Sequence, residues 1–378
     1  MSLTKIFIMQ AMNRPSQFSR MLTLFVISGI FSTVAVAEPD EKDRSSEFVL
    51  FLSTDYERMF EKAGTAPDDS DFTPALDLLY SKLIGNWRFF GEFLLTDDES
   101  ELERFQIGYD ASDESTFWFG RFHSPTSAWV AKYHHGRFLQ SSISRPAIEE
   151  WEDDGGVVPV HISGVMLDHG IPLEGGSGTR ISMTFGPGPY IRNGELFPFD
   201  LAAPGRGKHR LSAGMSFAYF PDYLNDSNFG LSATHSQIVV EESPALGVNQ
   251  SFNLNQTTLG AQLDWRIESW QLLAAAYYVH SNSEHLADQF GGWFLSGYTE
   301  LQREVREVNK IYGRIEFSRK VKTADYLRLF PDFSTGKFLI GYRYEFRENQ
   351  AFSVEVSDES SITDSFLQAR IQWSAVFP

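Results

Sequence analysis

The chain has 378 residues, of which 42% are hydrophobic and 15% aromatic, with a formal net charge of −18 and no cysteine. Such acidity argues against binding nucleic acid or anionic lipid through bulk charge, and a long chain without thiols is not a disulfide scaffold. After residue 37 no apolar run is long enough to cross a bilayer as a helix, which takes ~20 residues.

At the N-terminus Lys5, Arg14 and Arg20 precede an apolar run from Met21 to Phe31, then Ala35-Val36-Ala37 in the small-x-small form of a signal-peptidase site. The run is too short for an anchor spanning ~30 Å. Residues 1–37 are therefore expected to be a signal peptide cleaved before Glu38, with Met9, Met12 and Met21 as alternative starts. The segment 38–378 keeps 341 of the 378 residues; it loses three basic residues and no acidic one, so its charge is −21 against −18. Its destinations are the periplasm, the medium or the outer membrane of a Gram-negative cell.

From there the chain alternates with a period of two. Trp87, Phe89, Phe93 and Leu95 oppose Arg88, Glu92 and Thr96, and Phe105, Ile107 and Tyr109 oppose Arg104, Gln106 and Gly108. Further along, Leu211, Ala213, Met215, Phe217 and Tyr219 oppose Ser212, Gly214, Ser216 and Ala218, while Leu259, Ala261, Leu263 and Trp265 oppose Gly260, Gln262, Asp264 and Arg266. The same holds for Ile311, Gly313, Ile315 and Phe317, and for Phe338, Ile340, Tyr342, Tyr344 and Phe346 against Leu339, Gly341, Arg343, Glu345 and Arg347. A helical spacing of 3.6 would mix these faces.

The spacing predicts about sixteen strands, near 46–53, 73–84, 86–96, 102–110, 114–122, 160–168, 179–187, 208–220, 228–240, 255–266, 268–280, 291–303, 308–319, 335–347, 350–358 and 363–377; fourteen or eighteen stay open. Tight connections near Gly85, at 111–113, near Glu268, at 304–307 and at 348–349 alternate with long ones at 54–72, 123–159, 188–207, 241–254, 281–290 and 320–334; the short links 97–101 and 359–362 and the longer inside ones 169–178 and 221–227 depart from the pattern. Short turns at one end and long loops at the other are the habit of transmembrane barrels; a soluble sandwich has no such parity. The expected fold is all-β, a transmembrane antiparallel up-and-down barrel.

The last strand, Phe366 to Pro378, sets Leu367, Ala369, Ile371, Trp373, Ala375 and Phe377 against Gln368, Arg370, Gln372 and Ser374. It resembles the closing strand of outer-membrane β-barrels, which ends in an aromatic read by the barrel-assembly machinery. The resemblance implies an assembly signal at Trp373 and Phe377, with Pro378 a departure from the usual terminal Phe.

On the polar faces lie Arg88, Arg104, Arg266, Arg314, Arg343, Arg347 and Arg370, with Asp77, Glu92, Asp264, Glu316 and Glu345. Each alone reads as a lumen residue paired across strands; together they make a charged, water-lined wall, since sixteen strands enclose more space than side chains fill. The longest connection, 123–159, carries Glu149, Glu150, Glu152, Asp153 and Asp154 before Gly155-Gly156. In position and character it resembles the loop of general diffusion porins that folds into the lumen between the fifth and sixth strands and faces arginines. That resemblance implies a constriction formed by the acidic run opposite the basic wall of Arg88, Arg104, Arg266, Arg314, Arg343 and Arg370. Gly120 to Pro125 also resembles a stretch of phosphate-selective porins, and a solvated surface loop bridged by divalent cations to lipopolysaccharide is the bland alternative for the acidic run.

Two other chemistries are weaker. His280-Ser281-Asn282 near a rim invites a hydrolase reading, but strand neighbours point to opposite faces. His134-His135 diverge likewise and have no third ligand at a characteristic spacing. The sequence reading is a passive channel for small hydrophilic solutes, with no catalytic residue, cofactor or metal, set in outer-membrane lipid and lipopolysaccharide as a monomer or homotrimer. A closed surface-binding barrel is the alternative.

Overall fold

The computed structural model describes residues 46–61, 69–97, 100–133, 136–150, 158, 160–201, 204–205, 207–222, 227–243, 247–248, 250–283 and 291–378. The signal peptide expected at 1–37 lies outside them.

Sixteen strands close into a single antiparallel barrel. In chain order they are β1 (Ser46–Glu61), β2 (Asp69–Ile84), β3 (Trp87–Thr96), β4 (Ser100–Asp110), β5 (Ser115–His123), β6 (His161–Pro172) and β7 (Gly178–Pro187). A small hairpin follows, β8 (Tyr190–Arg192) and β9 (Glu195–Phe197), and then β10 (Leu211–Phe220), β11 (Asn228–Val240), β12 (Phe252–Ile267) and β13 (Trp270–Ser283). The ring is completed by β14 (Gly292–Arg306), β15 (Asn309–Arg319), β16 (Ser334–Arg347), β17 (Gln350–Ser361) and β18 (Ser365–Phe377). Each strand pairs with its neighbours; β7 pairs directly with β10, and the β8–β9 hairpin leans on the end of β11. Closure is made by β1 against β18, from Leu50 opposite Phe377 to Glu61 opposite Phe366, which leaves no bare edge in lipid.

All sixteen expected strands are present. Two details differ. The first runs to Glu61 instead of ending near residue 53, because its far half rises toward the long-loop end, where Arg58 can face outward at no hydrocarbon cost. The β8–β9 hairpin falls within what read as the loop 188–207; Asn193 and Gly194, both at positive φ (54° and 91°), make its two-residue turn.

The outward faces are apolar and the inward faces polar. On β16 Phe338, Ile340 and Tyr342 are 56, 55 and 40% exposed, while Leu339 and Arg343 on the alternate positions are 0 and 1%. Aromatic pairs sit outward at both ends, Trp87 with Tyr109 near the short turns and Tyr278 with Trp293 near the loops, with ring centroids 5.0 and 5.6 Å apart. An apolar band flanked by aromatic girdles is what a barrel in lipid presents. Connections at 85–86, 268–269, 307–308 and 348–349 are tight and share one end with both termini of the barrel.

Candidate functional site

The lumen has two unlike sides. Against β11–β14 the inward residues Ile238, Leu254, Tyr277, Val279 and Phe294 are buried under apolar side chains from the long loops: Trp129 and Val130, Ile191 and Leu196, and Tyr326, Leu327, Leu329 and Phe330. This is a protein core built inside the barrel. Opposite it, β14–β18 and β1–β5 present charged groups inward.

The segment 124–150 joins these sides. Its short helix α1 (Ala128–Tyr133) packs Trp129 and Tyr133 into the apolar core, and Lys132 Nζ reaches Asp264 of β12 at 3.0 Å. From there the segment runs along the inward faces of β14–β17, which stand across the ring from β5 and β6. Ser141 Oγ donates to Gln302 (2.8 Å), the Ile143 N–H to Glu355 (2.9 Å) and the Ala147 N–H to Glu316 (2.7 Å). Arg137 is ion-paired with Asp55 of β1.

Two of the six wall arginines hold that segment. Arg314 is fully buried; it donates to the carbonyl oxygens of Ser144 (3.0 Å) and Arg145 (2.7 Å) while pairing with Glu300 (2.9 Å) and Glu316 (2.8 Å). Arg343 donates to the carbonyls of Phe138 (2.7 Å) and Gln140 (2.9 Å), pairs with Glu345 (2.9 Å) and lies over the Phe138 ring. Guanidinium suits this task because its planar fork satisfies several oxygens at once. Of the others, Arg88 pairs with Asp110 (2.8 Å) while half-exposed, Arg104 with Glu92, and Arg370 with Glu57 (2.8 Å). The Arg266 side chain borders a cavity of about 160 Å³ at the short-turn mouth, with Arg303 and Lys310.

Within the acidic run, Glu149 and Glu150 behave differently. Glu149 closes a 3₁₀ turn and is buried; its carboxylate accepts from Ser127 Oγ and from Tyr277 Oη of β13 (2.5 Å), so it latches the two halves of the segment to the wall. Burial pushes its carboxyl up to about 7, against the opposing pull of those two hydrogen bonds. Glu150 instead lines a cavity of about 300 Å³ with Arg370 and Lys337. Glu152, Asp153 and Asp154 lie outside the described residues, as do His134 and His135. Trp373 faces outward on β18, opposite Thr54, and Phe377 is half-buried at the closing seam, opposite Leu50.

Sequence reasoning missed the inner core. The signal was present on β13, where Leu272, Ala274, Ala276 and Tyr278 face out while Leu273, Ala275, Tyr277 and Val279 face in. A strand apolar on both faces must be covered on both.

The stretch Gly120 to Pro125 is the last four residues of β5 and the first two beyond it. Gly120 has φ 134°, and a Cβ there would sit 2.0 Å from the Phe105 carbonyl oxygen, so the strands approach where only glycine fits. Arg121 beside it is engaged by Glu101 (2.5 Å) and touches His161 (3.3 Å). His280 points outward and Ser281 is buried inward, so the two do not converge.

A closed barrel with an apolar outer band, aromatic girdles, short turns at one end and loops folded within defines a transmembrane β-barrel of the outer-membrane class. No protein-family model and no curated protein matches the sequence. Among solved structures the fold is similar to Salmonella typhi OmpF in complex with daunomycin, at 12% identity and TM-score 0.58, over 90% of this chain and 100% of that one. It is also similar to OmpT, an outer membrane protein of Vibrio cholerae (9%, TM-score 0.57, 91% and 100%), and to the outer membrane channel DcaP of Acinetobacter baumannii (11%, TM-score 0.55, 89% and 99%). The chain shares the porin fold, a closed sixteen-stranded transmembrane barrel.

Proposed function

We propose that the chain is a passive channel for small hydrophilic solutes, running along the charged side of the lumen and narrowed by the residues 136–150 that lie along its wall. The observation that carries this reading is the fixing of residues 138–147 to β15–β17 by Arg314, Arg343, Glu316 and Glu355. A segment held by that many buried bonds is a rigid obstacle, and a rigid obstacle in a wide barrel sets a size limit. Selectivity belongs to Glu150 with Glu152, Asp153 and Asp154, and to the partly exposed arginines Arg88, Arg104 and Arg370. Their carboxylates favour cations mildly, within a Debye length of ~10 Å at 0.1 M salt.

The same reading gives the chain a cleaved signal peptide at 1–37, a rim in lipopolysaccharide and delivery by the barrel-assembly machinery through Trp373 and Phe377. Removing Phe377 with Pro378 should cut membrane levels far more than removing Pro378 alone; equal levels would remove the assembly role. Planar-bilayer recording tests the channel. Stable open steps in KCl support it, and silence from inserted, heat-resistant barrel favours a closed surface-binding protein. Neutralising Glu150, Glu152, Asp153 and Asp154 to amides should move the zero-current potential toward chloride.

A further inference from the structure

The cavity of about 300 Å³ at the loop end lies between residues 147–150, the loops 320–333 and 362–364, and the inward faces of β1 and β16–β18. Its two bases are spent: Lys337 Nζ is 2.8 Å from Glu359, and Arg370 is 2.8 Å from Glu57. Asp332 and Asp364 also line it, and among the described residues neither has a cationic partner; Asp364 accepts a hydrogen bond from Thr363 (2.7 Å). Both aspartates are exposed at its rim, and partial burial with the nearby charge of Asp364 holds the Asp332 carboxyl above its ordinary range. The Ser334 hydroxyl, more than nine-tenths buried on the same wall, has no hydrogen-bond partner. Met59, Phe333 and Phe366 supply apolar surface.

We propose that this cavity is a recognition site for a small organic cation, a primary ammonium on an apolar body, at the outer entrance of the lumen. Three donors on an ammonium match Asp332, Asp364 and the Ser334 oxygen, and rings and thioether beside them suit the body it is carried on. A bare metal ion fits less well. Among the described residues no three carboxylates or histidines are grouped to hold one, and the cavity, at about 300 Å³, is about ten times the ~30 Å³ share of a water molecule and at the small end of ligand sites of ~300–1,000 Å³. As a selector of cargo the site rests on the channel reading; its binding does not require an open pore.

The probe is benzylammonium chloride, titrated by calorimetry into detergent-folded full-length protein at low ionic strength, with benzyl alcohol as the uncharged control. Saturable one-to-one binding is expected for the ammonium and not for the alcohol. The pair Asp332→Asn and Asp364→Asn should weaken it by about tenfold or more, with heat-resistant gel mobility showing that the barrel has folded. Absence of saturable binding, equal binding by the alcohol, equal binding by the double variant, or Mg²⁺ displacing the probe at lower concentration than its own each overturn the site. Bilayer current read on the same samples separates the two claims. Binding without current removes the channel and keeps the site; current without binding removes the site and keeps the channel.

Discussion

The β11–β14 side of the lumen and the side formed by β14–β18 with β1–β5 are built from the same strand geometry but solve opposite problems. On the first, inward Leu273, Ala275, Tyr277 and Val279 would be wasted on water, so long loops fold in to cover them. On the second, charges too costly to bury alone are buried in sets, as in Arg314 with Glu300, Glu316 and two backbone carbonyls. The difference teaches that a wide barrel need not be a uniformly wet pipe. One side of this one is a protein interior, and the proposed path for solute runs along the other.

That contrast can be broken first at Arg314. Replacing it with Ala strands two buried carboxylates and two loop carbonyls, and should cost ~3 to 5 kcal/mol. Arg88→Ala, on a half-exposed pair, should cost ~1 kcal/mol or less. Urea unfolding of the detergent-folded barrel reads both, and equal losses would mean that the clamp is not in place. On the apolar side Leu329→Ala should cost ~2 to 5 kcal/mol, although it sits on a loop, because it lies wholly within the core. A loss near zero would show that the loop does not pack inside.

A smaller effect sharpens the comparison at Glu149, the latch between the two sides. The docked carboxyl keeps its proton to about pH 7, whereas the free loop loses it near its ordinary 4.5. A raised acid stabilises the docked form fully below about pH 4.5 and loses that contribution as pH climbs to about 7, with little change above. Hydrogen exchange in peptides from 136–150, corrected for intrinsic rates, should therefore show stronger protection near pH 4.5 than near pH 8, and Glu149→Gln should flatten the difference. Wild-type protection equal at both would rule the latch out.

How much of this was legible from residues alone follows the same divide. Where the outer face meets lipid and the inner face meets charge, as on β16, a period of two is unmistakable, and every barrel strand could be found. Where loops cover the lumen, alternation vanishes: β13 reads as an apolar run, and what covers it comes from Trp129, Leu196 and Tyr326, far away in sequence. The arginines could be placed on inward faces, but parity says nothing of partners, so Arg314 and Arg343 read as a wet wall when they are loop clamps. Glu149 and Glu150 are neighbours in one acidic run, and only the turn at 147–149 separates a buried latch from a residue facing a cavity.

The central claim is that water and solute pass along the charged side alone. The chain has no cysteine, so a single introduced thiol reports on one position. Arg88→Cys and Ala275→Cys are to be exposed in the bilayer to a small, charged, thiol-specific methanethiosulfonate reagent while current is recorded. Reaction at position 88 with a stepwise fall in conductance, and none at position 275, is the predicted result. Reaction at both, or at 275 alone, would contradict it.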